Sequence, residues 1–171
     1  MPGWPDEVIE QWLLELANRP DTGWPPPEDV SERAWGAILG WRPLSWWKNV
    51  SWKLEERDVG FAELSTGTKQ ITVRIVNEVT KGQAADNSEA RFNYALNHLA
   101  RTGEFQKPLV AMNLADGLSV LDGNHRITAL IVCEAQANAF RQNGRKVPSM
   151  TQKVWIGAHV DGDVPLDYPS S

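Results

Sequence analysis

The sequence predicts an α+β fold, in which helices pack on a small mixed sheet and a tryptophan- and proline-rich helical extension precedes them. The first observation is that eight of the nine tryptophans lie in the first 52 residues, together with the triple proline Pro25-Pro26-Pro27. The second is that β-branched runs alternate with segments of helical period from Val50 onward. We therefore expect an extension over residues 1–49, a main domain over residues 50–160 and a loose tail over residues 161–171.

Composition and charge restrict the class of protein. The chain has 171 residues, which is enough for one domain with a core. Cys133 is the only cysteine, which excludes an internal disulfide and indicates a reducing, cytoplasmic environment. No apolar run approaches the roughly 20 residues of a membrane span, and the N-terminus lacks a signal-peptide pattern, so no membrane partner is expected. The net charge of −5 argues against a broad nucleic-acid-coating surface but leaves room for a local basic groove.

Two short helices fit the extension. The first is predicted from about Asp6 to Asn18, because apolar residues recur there at helical spacing. The second starts after the triple proline and ends at Gly40, which suits a C-terminal stop. We expect the tryptophans to pack this helical cap onto the main domain. A surface for a protein partner and a platform for stacked bases are the alternatives.

The main domain alternates predicted strands and helices. Strands are predicted where β-branched or apolar residues run between turn residues, over residues 70–76, 108–114, 118–121 and 154–160. Residues 80–87 are expected to form a loop. Helices are predicted over residues 88–101, ended by Gly103, and from about His125 to Gln142.

The segment Asp122-Gly123-Asn124-His125-Arg126 is the most informative of the chain. It lies between the apolar run 118–121 and the following helix. A helix start presents unpaired N–H groups and the positive end of the dipole, so it suits an anion such as phosphate. Arginine can hold phosphate through two hydrogen bonds, and histidine can exchange protons near neutral pH. The alternative is a solvated turn, because Asp-Gly is a common turn dipeptide.

Two stretches carry a resemblance to a known family. Residues 96–110 contain Gly103-Glu104-Phe105-Gln106-Lys107-Pro108, and residues 118–130 contain the Asp122–Arg126 turn. The order of elements resembles that of the ParB/sulfiredoxin (ParB-like nuclease) superfamily. It consists of a helix, a Gly-x-x-Gln-x-Pro connection, two strands and a turn that opens a helix. The resemblance covers residues 50–160, and in size and layout it is closest to the small plasmid fertility-inhibition members.

The resemblance implies a compact ParB/sulfiredoxin-like catalytic domain that binds nucleotide phosphates at the turn. The function it implies is an ATPase-like phosphohydrolase with Mg²⁺-assisted DNase activity, acting in plasmid conjugation or fertility inhibition, with nucleotide and DNA as partners. Asn124 stands where sulfiredoxins carry their reactive cysteine, so sulfiredoxin chemistry is not expected. A partition role is not expected either, because residues 161–171 leave no room for the further domains that role needs.

The turn residues have distinct expected roles. Gly123 lets the backbone approach an anion without a Cβ, and Arg126 supplies a fork to phosphate oxygens. His125 is expected to bond a phosphate or move a proton, and Asp122 to orient His125 or hold Mg²⁺. The alternative for Asp122 is a turn residue that bonds its own backbone. The further predicted nucleotide contacts are Asn124, Thr128, Gln106, Lys107 and Arg91. For Lys107 and Arg91 a solvated surface position is the alternative, and for Thr128 it is a capping or surface position.

A general base is expected from outside the turn. Glu55 and Glu56 fall where some kinase-like members of the superfamily place an acidic residue, and a solvated charge run is the alternative. Two other functions therefore stay open. One is a catalytically degenerate module that docks on a protein partner through its tryptophan-rich face. The other is a small-molecule kinase resembling the free-serine kinases, which would depend on these carboxylates.

Overall fold

A four-stranded mixed sheet forms the centre of the structure. The computed structural model of the chain describes residues 3–19, 21–28, 33–84, 87–144 and 146–162. The strands are β1 (Val50–Asp58), β2 (Leu109–Leu114), β3 (Gly117–Asp122) and β4 (Thr151–His159), in the spatial order β1-β4-β2-β3. β1 pairs with β4 and β2 with β3 in antiparallel fashion, whereas β2 and β4 are parallel. The predicted α+β class and mixed sheet are thus confirmed.

Helices flank this sheet on both sides. The first helical segment, α1, consists of Asp6–Val8 and Glu15–Ala17 in α-helical form, with the π-helical turn Ile9–Leu14 between them. A 3₁₀ turn, Phe61–Glu63, follows β1. The remaining helices are α2 (Arg33–Ile38), α3 (Leu44–Trp47), α4 (Thr66–Thr80), α5 (Ser88–Thr102), α6 (Asn124–Ala135) and α7 (Ala137–Gln142).

Each face of the sheet has its own apolar core. Leu109, Val110, Ala111 and Met112 of β2 are all buried, although successive residues of a strand point to opposite faces. Leu109 and Ala111 belong to the core formed with α4, α5 and α6. Val110 and Met112 belong to a second core formed with the N-terminal tryptophans. The extension therefore covers one face of the sheet.

The tryptophan-rich extension packs as the cap that the sequence predicts. Trp4, Trp12, Trp35 and Trp47 are buried, and the ring centroids of Trp12 and Trp47 lie 5.0 Å apart in an edge-to-face arrangement. Trp24 is 48% exposed. Since most of the indole surface is used internally, the described residues do not present a continuous tryptophan face to a protein partner or to stacked bases.

The predicted strand over residues 70–76 is wrong, because these residues lie within α4. Ser65 caps this helix by accepting a hydrogen bond from the Thr68 N–H. The buried residues Thr68, Thr72 and Ile75 recur at helical spacing. Packing on one helix face thus overrides the β-branched composition. The strand that the sequence analysis missed is β1, an edge strand whose exposed charged residues look like a solvated run.

The helix predicted from His125 to Gln142 is interrupted. Gln136 has φ −101° and ψ 17°, which ends α6 before α7 begins. The last strand begins at Thr151, three residues earlier than predicted. The predicted tail lies outside the described residues from position 163 onward.

Candidate functional site

The Asp122–Arg126 turn joins the end of β3 to the first turn of α6. Gly123 has a φ of +100°, which is the left-handed region that favours glycine. A Cβ at this position would lie 2.5 Å from Leu109 Cδ2 and 2.8 Å from Arg126 Nη2. The absence of a side chain at Gly123 therefore lets the Arg126 guanidinium lie directly over the turn.

Arg126 is fixed by the carboxylate at the start of the same turn. Its Nη2 donates to Asp122 Oδ2 over 2.6 Å, and the two side chains are only 15% and 26% exposed. Burial raises the pKa of Asp122, against the opposing effect of the Arg126 charge, and Glu15 raises it further. The pair thus holds a guanidinium in a partly desolvated position, where its charge would act more strongly on an anion than it would in water.

His125 contacts the preceding helix, α5, rather than its own turn. Its Nε2 lies 2.8 Å from Ser88 Oγ at the start of α5. Burial lowers the pKa of His125 below its ordinary value of 6.5, and the nearby Arg91 charge lowers it further. The imidazole is therefore neutral at pH 7, so one ring nitrogen can accept a proton.

A cleft of about 620 Å³ opens in front of the turn. Its walls come from α1, α4, α5 and the segment before β2, so the extension and the main domain both contribute to it. Five basic and three acidic side chains line it, although the whole chain is acidic. The basic residues are Arg19, Arg74, Arg91, Lys107 and Arg126, and the acidic ones are Glu15, Glu78 and Asp122.

Each carboxylate of the cleft forms an ion pair with an arginine. Besides the Asp122 pair, Arg91 Nη2 lies 3.1 Å from Glu15 Oε1, and Arg74 Nε lies 3.8 Å from Glu78 Oε1. The Arg91–Glu15 pair joins α5 to α1, and both of its side chains are about half exposed. Since solvent screens such pairs, an anionic ligand can replace a carboxylate as the partner of an arginine.

Four buried polar atoms of the cleft residues have no hydrogen-bond partner within the described chain. They are Gln11 Nε2, Gln106 Nε2, Asn124 Oδ1 and Arg126 Nε. Leaving a buried polar group unpaired costs about 1–3 kcal/mol. Three of the four are donors, and they lie on α1, on the segment before β2 and on the turn. The cleft thus combines a basic lining, which suits an anion, with polar atoms that the described chain leaves unpartnered.

Most of the predicted site residues line this one cleft. The structure brings together Asp122, Gly123, Asn124, His125, Arg126, Gln106, Lys107 and Arg91. Thr128 is not among the lining residues. It is fully buried, and its hydroxyl donates to the Asn124 carbonyl over 2.7 Å, so neither the expected nucleotide contact nor a surface position applies to it.

Glu55 and Glu56 lie apart from the turn. They belong to β1, the edge strand farthest from β3. The register aligns Leu54, Trp155, Val110 and Asp122 in one row across the sheet. Three interstrand spacings correspond to about 14 Å, so these carboxylates do not supply the expected base to the turn.

Sequence reasoning missed several residues of the cleft. Gln11, Glu15 and Arg19 come from the extension, and Ser88 and Tyr94 from α5. The one local signal is Gln11, a polar residue directly before the apolar Trp12 and Leu13 in a predicted amphipathic helix, and the structure buries it to 5% exposure. A polar residue at a buried position usually has a partner, so its presence indicates a site.

In the part of the chain that the structure describes, no preformed metal cluster accompanies the turn. Within the described ranges, no three His, Cys, Asp or Glu side chains are grouped so that they could hold a metal ion. Asp122, the residue expected to bind Mg²⁺, bonds Arg126 through Oδ2. Mg²⁺ is commonly held by one or two carboxylates together with substrate phosphates, so a bound nucleotide would have to supply most of its ligands here.

The chain matches no protein-family model, no curated protein and no solved structure. The resemblance to the ParB/sulfiredoxin superfamily therefore stays a prediction. Among the helices described, none combines the length and apolar character needed to cross a membrane.

Proposed function

We propose that the cleft binds a nucleotide through its phosphates and that the protein hydrolyses a phosphoanhydride bond of that nucleotide. The observation that carries this proposal is the basic lining of the cleft, in which the Arg126 guanidinium lies over the Gly123 turn at the start of α6 and its Nε has no hydrogen-bond partner in the described chain. Phosphoryl transfer depends mainly on positioning and charge neutralisation. These are the two properties that the cleft supplies.

The size of the cleft supports a small ligand with several charges. Its volume of about 620 Å³ lies within the usual range of small-molecule sites. Arg126 of α6, Arg91 of α5 and Lys107 of the connection before β2 come from three separate parts of the chain, so they can contact different phosphates of one nucleotide. The start of α6 adds backbone N–H groups to the same anion.

Mg²⁺ is proposed as a companion of the nucleotide rather than as a resident ion. When bound, it would neutralise phosphate charge. Asp122 is the residue that would reach it, through the oxygen that does not bond Arg126. The protein itself would position Arg126 over the phosphates and partly exclude water from the turn.

Binding and hydrolysis test this proposal directly. We expect calorimetric titration with ATP, CTP, GTP and ADP in the presence of Mg²⁺ to reveal binding of at least one nucleotide, with phosphate release on incubation. Arg126→Ala should weaken binding by about tenfold or more, since a charged hydrogen bond contributes about 1.5–3 kcal/mol. Arg141→Ala, at an exposed position on α7, is the matched control. Absence of binding, or equal binding by the two variants, would overturn the proposal.

DNA cleavage is the second activity that we propose for this protein. A shallow groove along α4, lined by Lys69, Arg74 and Lys81, shares Arg74 and Glu78 with the cleft. Basic side chains spaced along a helix suit a phosphate backbone. With Mg²⁺, we expect nicking of plasmid DNA that weakens in Lys69→Gln/Lys81→Gln, whereas nucleotide binding in the cleft persists. Intact plasmid after incubation with the wild-type protein would remove this activity.

The two other functions lack the features on which they depend. A module that docks through a tryptophan face needs exposed tryptophans, but the buried cap uses most of them. A kinase that uses Glu55 or Glu56 as its base needs these carboxylates at the turn, but they lie on the opposite edge of the sheet. The observations therefore favour nucleotide hydrolysis.

A further inference from the structure

We infer that Ser88 and His125 form a catalytic dyad in which Ser88 accepts the terminal phosphoryl group of a nucleoside triphosphate bound in the cleft. This inference rests on the proposed function, because the donor is the nucleotide. It goes further by naming a covalent phosphoserine as an intermediate and by assigning the nucleophile and its base.

The geometry places a nucleophile and a base in contact at the cleft wall. Ser88 is the first residue of α5, is partly buried and lines the cleft. Its Oγ lies 2.8 Å from His125 Nε2, which is within the distance expected of a nucleophile and its general base. When the imidazole carries its proton on Nδ1, the Ser88 hydroxyl donates to Nε2. That hydrogen bond is the path for the proton when the oxygen attacks.

Burial, assisted by one nearby charge, keeps His125 in the form that a base requires. Burial and the Arg91 charge on α5 lower its pKa, while Glu78 on α4 and Glu15 on α1 act in the opposite direction. The net direction is downward, so the imidazole is unprotonated at neutral pH. A neutral imidazole can take the Ser88 proton, whereas an imidazolium could not.

The same wall stabilises the charge that the reaction produces. Ser88 stands at the N-terminus of the 15-residue helix α5, where backbone N–H groups favour a negative charge. Arg91 lies one turn further along that helix and also lines the cleft. A phosphoserine carries a charge of about −1.5 to −2 at pH 7, so this is a favourable place for it.

The proposed reaction has two balanced steps. Ser88 Oγ attacks the terminal phosphorus, a new P–O bond forms, and the bond from that phosphorus to the bridging oxygen breaks. The nucleoside diphosphate leaves, and the Ser88 proton passes to His125 Nε2 and then to the leaving oxygen or to solvent. In the second step His125 takes a proton from water, the water oxygen forms a bond to phosphorus and the bond from phosphorus to Ser88 Oγ breaks. His125 then returns the proton to Ser88 Oγ as inorganic phosphate leaves.

Isotope transfer tests the inference on the full chain. The protein is incubated with Mg²⁺ and ATP labelled at the γ-phosphate or, in a parallel sample, at the α-phosphate, and is quenched in acid. Labelled peptides are then mapped by mass spectrometry. Binding of a non-hydrolysable ATP analogue is measured on the same preparations. The variants are Ser88→Ala, Ser88→Thr and His125→Gln, and Ser51→Ala on the exposed edge of β1 is the matched control.

We expect label from the γ-position alone, located on Ser88. Ser88→Ala should abolish it and slow phosphate release by about a hundredfold, the order expected for loss of a catalytic group, with analogue binding unchanged. Ser88→Thr should retain measurable label, and His125→Gln should slow labelling. If Ser88→Ala binds the analogue and hydrolyses ATP as fast as Ser51→Ala does, the inference fails and the proposed function survives. If no preparation binds nucleotide, both fail together.

Discussion

Glu15 of α1 and Arg91 of α5 form an ion pair of 3.1 Å at the cleft. The pair connects the tryptophan-rich extension to the helix that carries Ser88. It also places the Glu15 carboxylate beside Arg91, which in the proposed function contacts a phosphate of the nucleotide. The extension therefore acts on the site both by closing one wall and by supplying a negative charge.

Replacing Glu15 should strengthen nucleotide binding. In Glu15→Gln, Arg91 no longer has a competing carboxylate, so affinity should rise about two- to fivefold, the equivalent of about 0.4–1 kcal/mol for an exposed pair. Calorimetric titration with a non-hydrolysable nucleotide measures the change. Glu10→Gln is the control, because Glu10 is an exposed residue of the same helix and its replacement alters the net charge equally. Weaker binding by Glu15→Gln would show that Glu15 supports nucleotide binding rather than competing with the nucleotide for Arg91.

Gly123 should tolerate no side chain. Gly123→Ala adds a Cβ at a left-handed position and forces it against Leu109 and Arg126, so the free energy of unfolding should fall by about 2–4 kcal/mol. Gly144 also has a positive φ but has no atom within 4 Å of an added Cβ, so Gly144→Ala should cost only about 1 kcal/mol. Urea unfolding of both variants gives the comparison. If the two variants lose equal free energies of unfolding, the close contacts at Gly123 add nothing to the cost of the substitution.

The turn could be predicted from sequence because its determinants are local. An Asp-Gly pair, a strand of apolar residues before it and an amphipathic helix after it are all visible along the chain. The placement of α4 could not be predicted in this way. Thr68 of α4 accepts a hydrogen bond of 2.9 Å from the Val120 N–H of β3, and such a contact between residues distant in sequence outweighs a preference for strand.

The sequence pattern also could not predict that the extension contributes residues to the cleft. Gln11 and Glu15 line the cleft because the tryptophan core packs α1 against the sheet. The Ser88–His125 contact joins residues 37 positions apart. No spacing rule along the chain connects them.

Stability should depend on pH through His125. Its pKa in the folded state lies below the ordinary value of 6.5, so between these two values the unfolded chain binds more protons than the folded one. Stability therefore rises with pH through that window and levels off above 6.5. His125→Gln should remove this rise, whereas His98→Gln on α5 should keep it. Urea unfolding at a series of pH values measures the slopes.

Asp122 contributes a slope of the opposite sign to the same measurement. Its pKa is raised in the folded state above the ordinary value of 3.8. Stability therefore falls as the pH rises from 3.8 through the folded-state value. The difference between wild type and His125→Gln isolates the histidine, because Asp122 is present in both. An unchanged slope in His125→Gln would show that the imidazole is not kept neutral by the fold.

Trp12 should link the stability of the cap to the function of the site. It is 1% exposed and packs against Trp4, Trp47 and Trp52, so Trp12→Ala should lower the free energy of unfolding by about 3–5 kcal/mol. Trp24→Ala, at a position 48% exposed, should change it by no more than about 0.5 kcal/mol. The milder Trp12→Phe should stay folded yet bind nucleotide more weakly, because the neighbouring Gln11 shifts with the helix. Nucleotide binding is measured by calorimetry below the melting transition of each variant. If Trp12→Phe binds as tightly as Trp24→Ala, the packing of the cap does not control binding at the site.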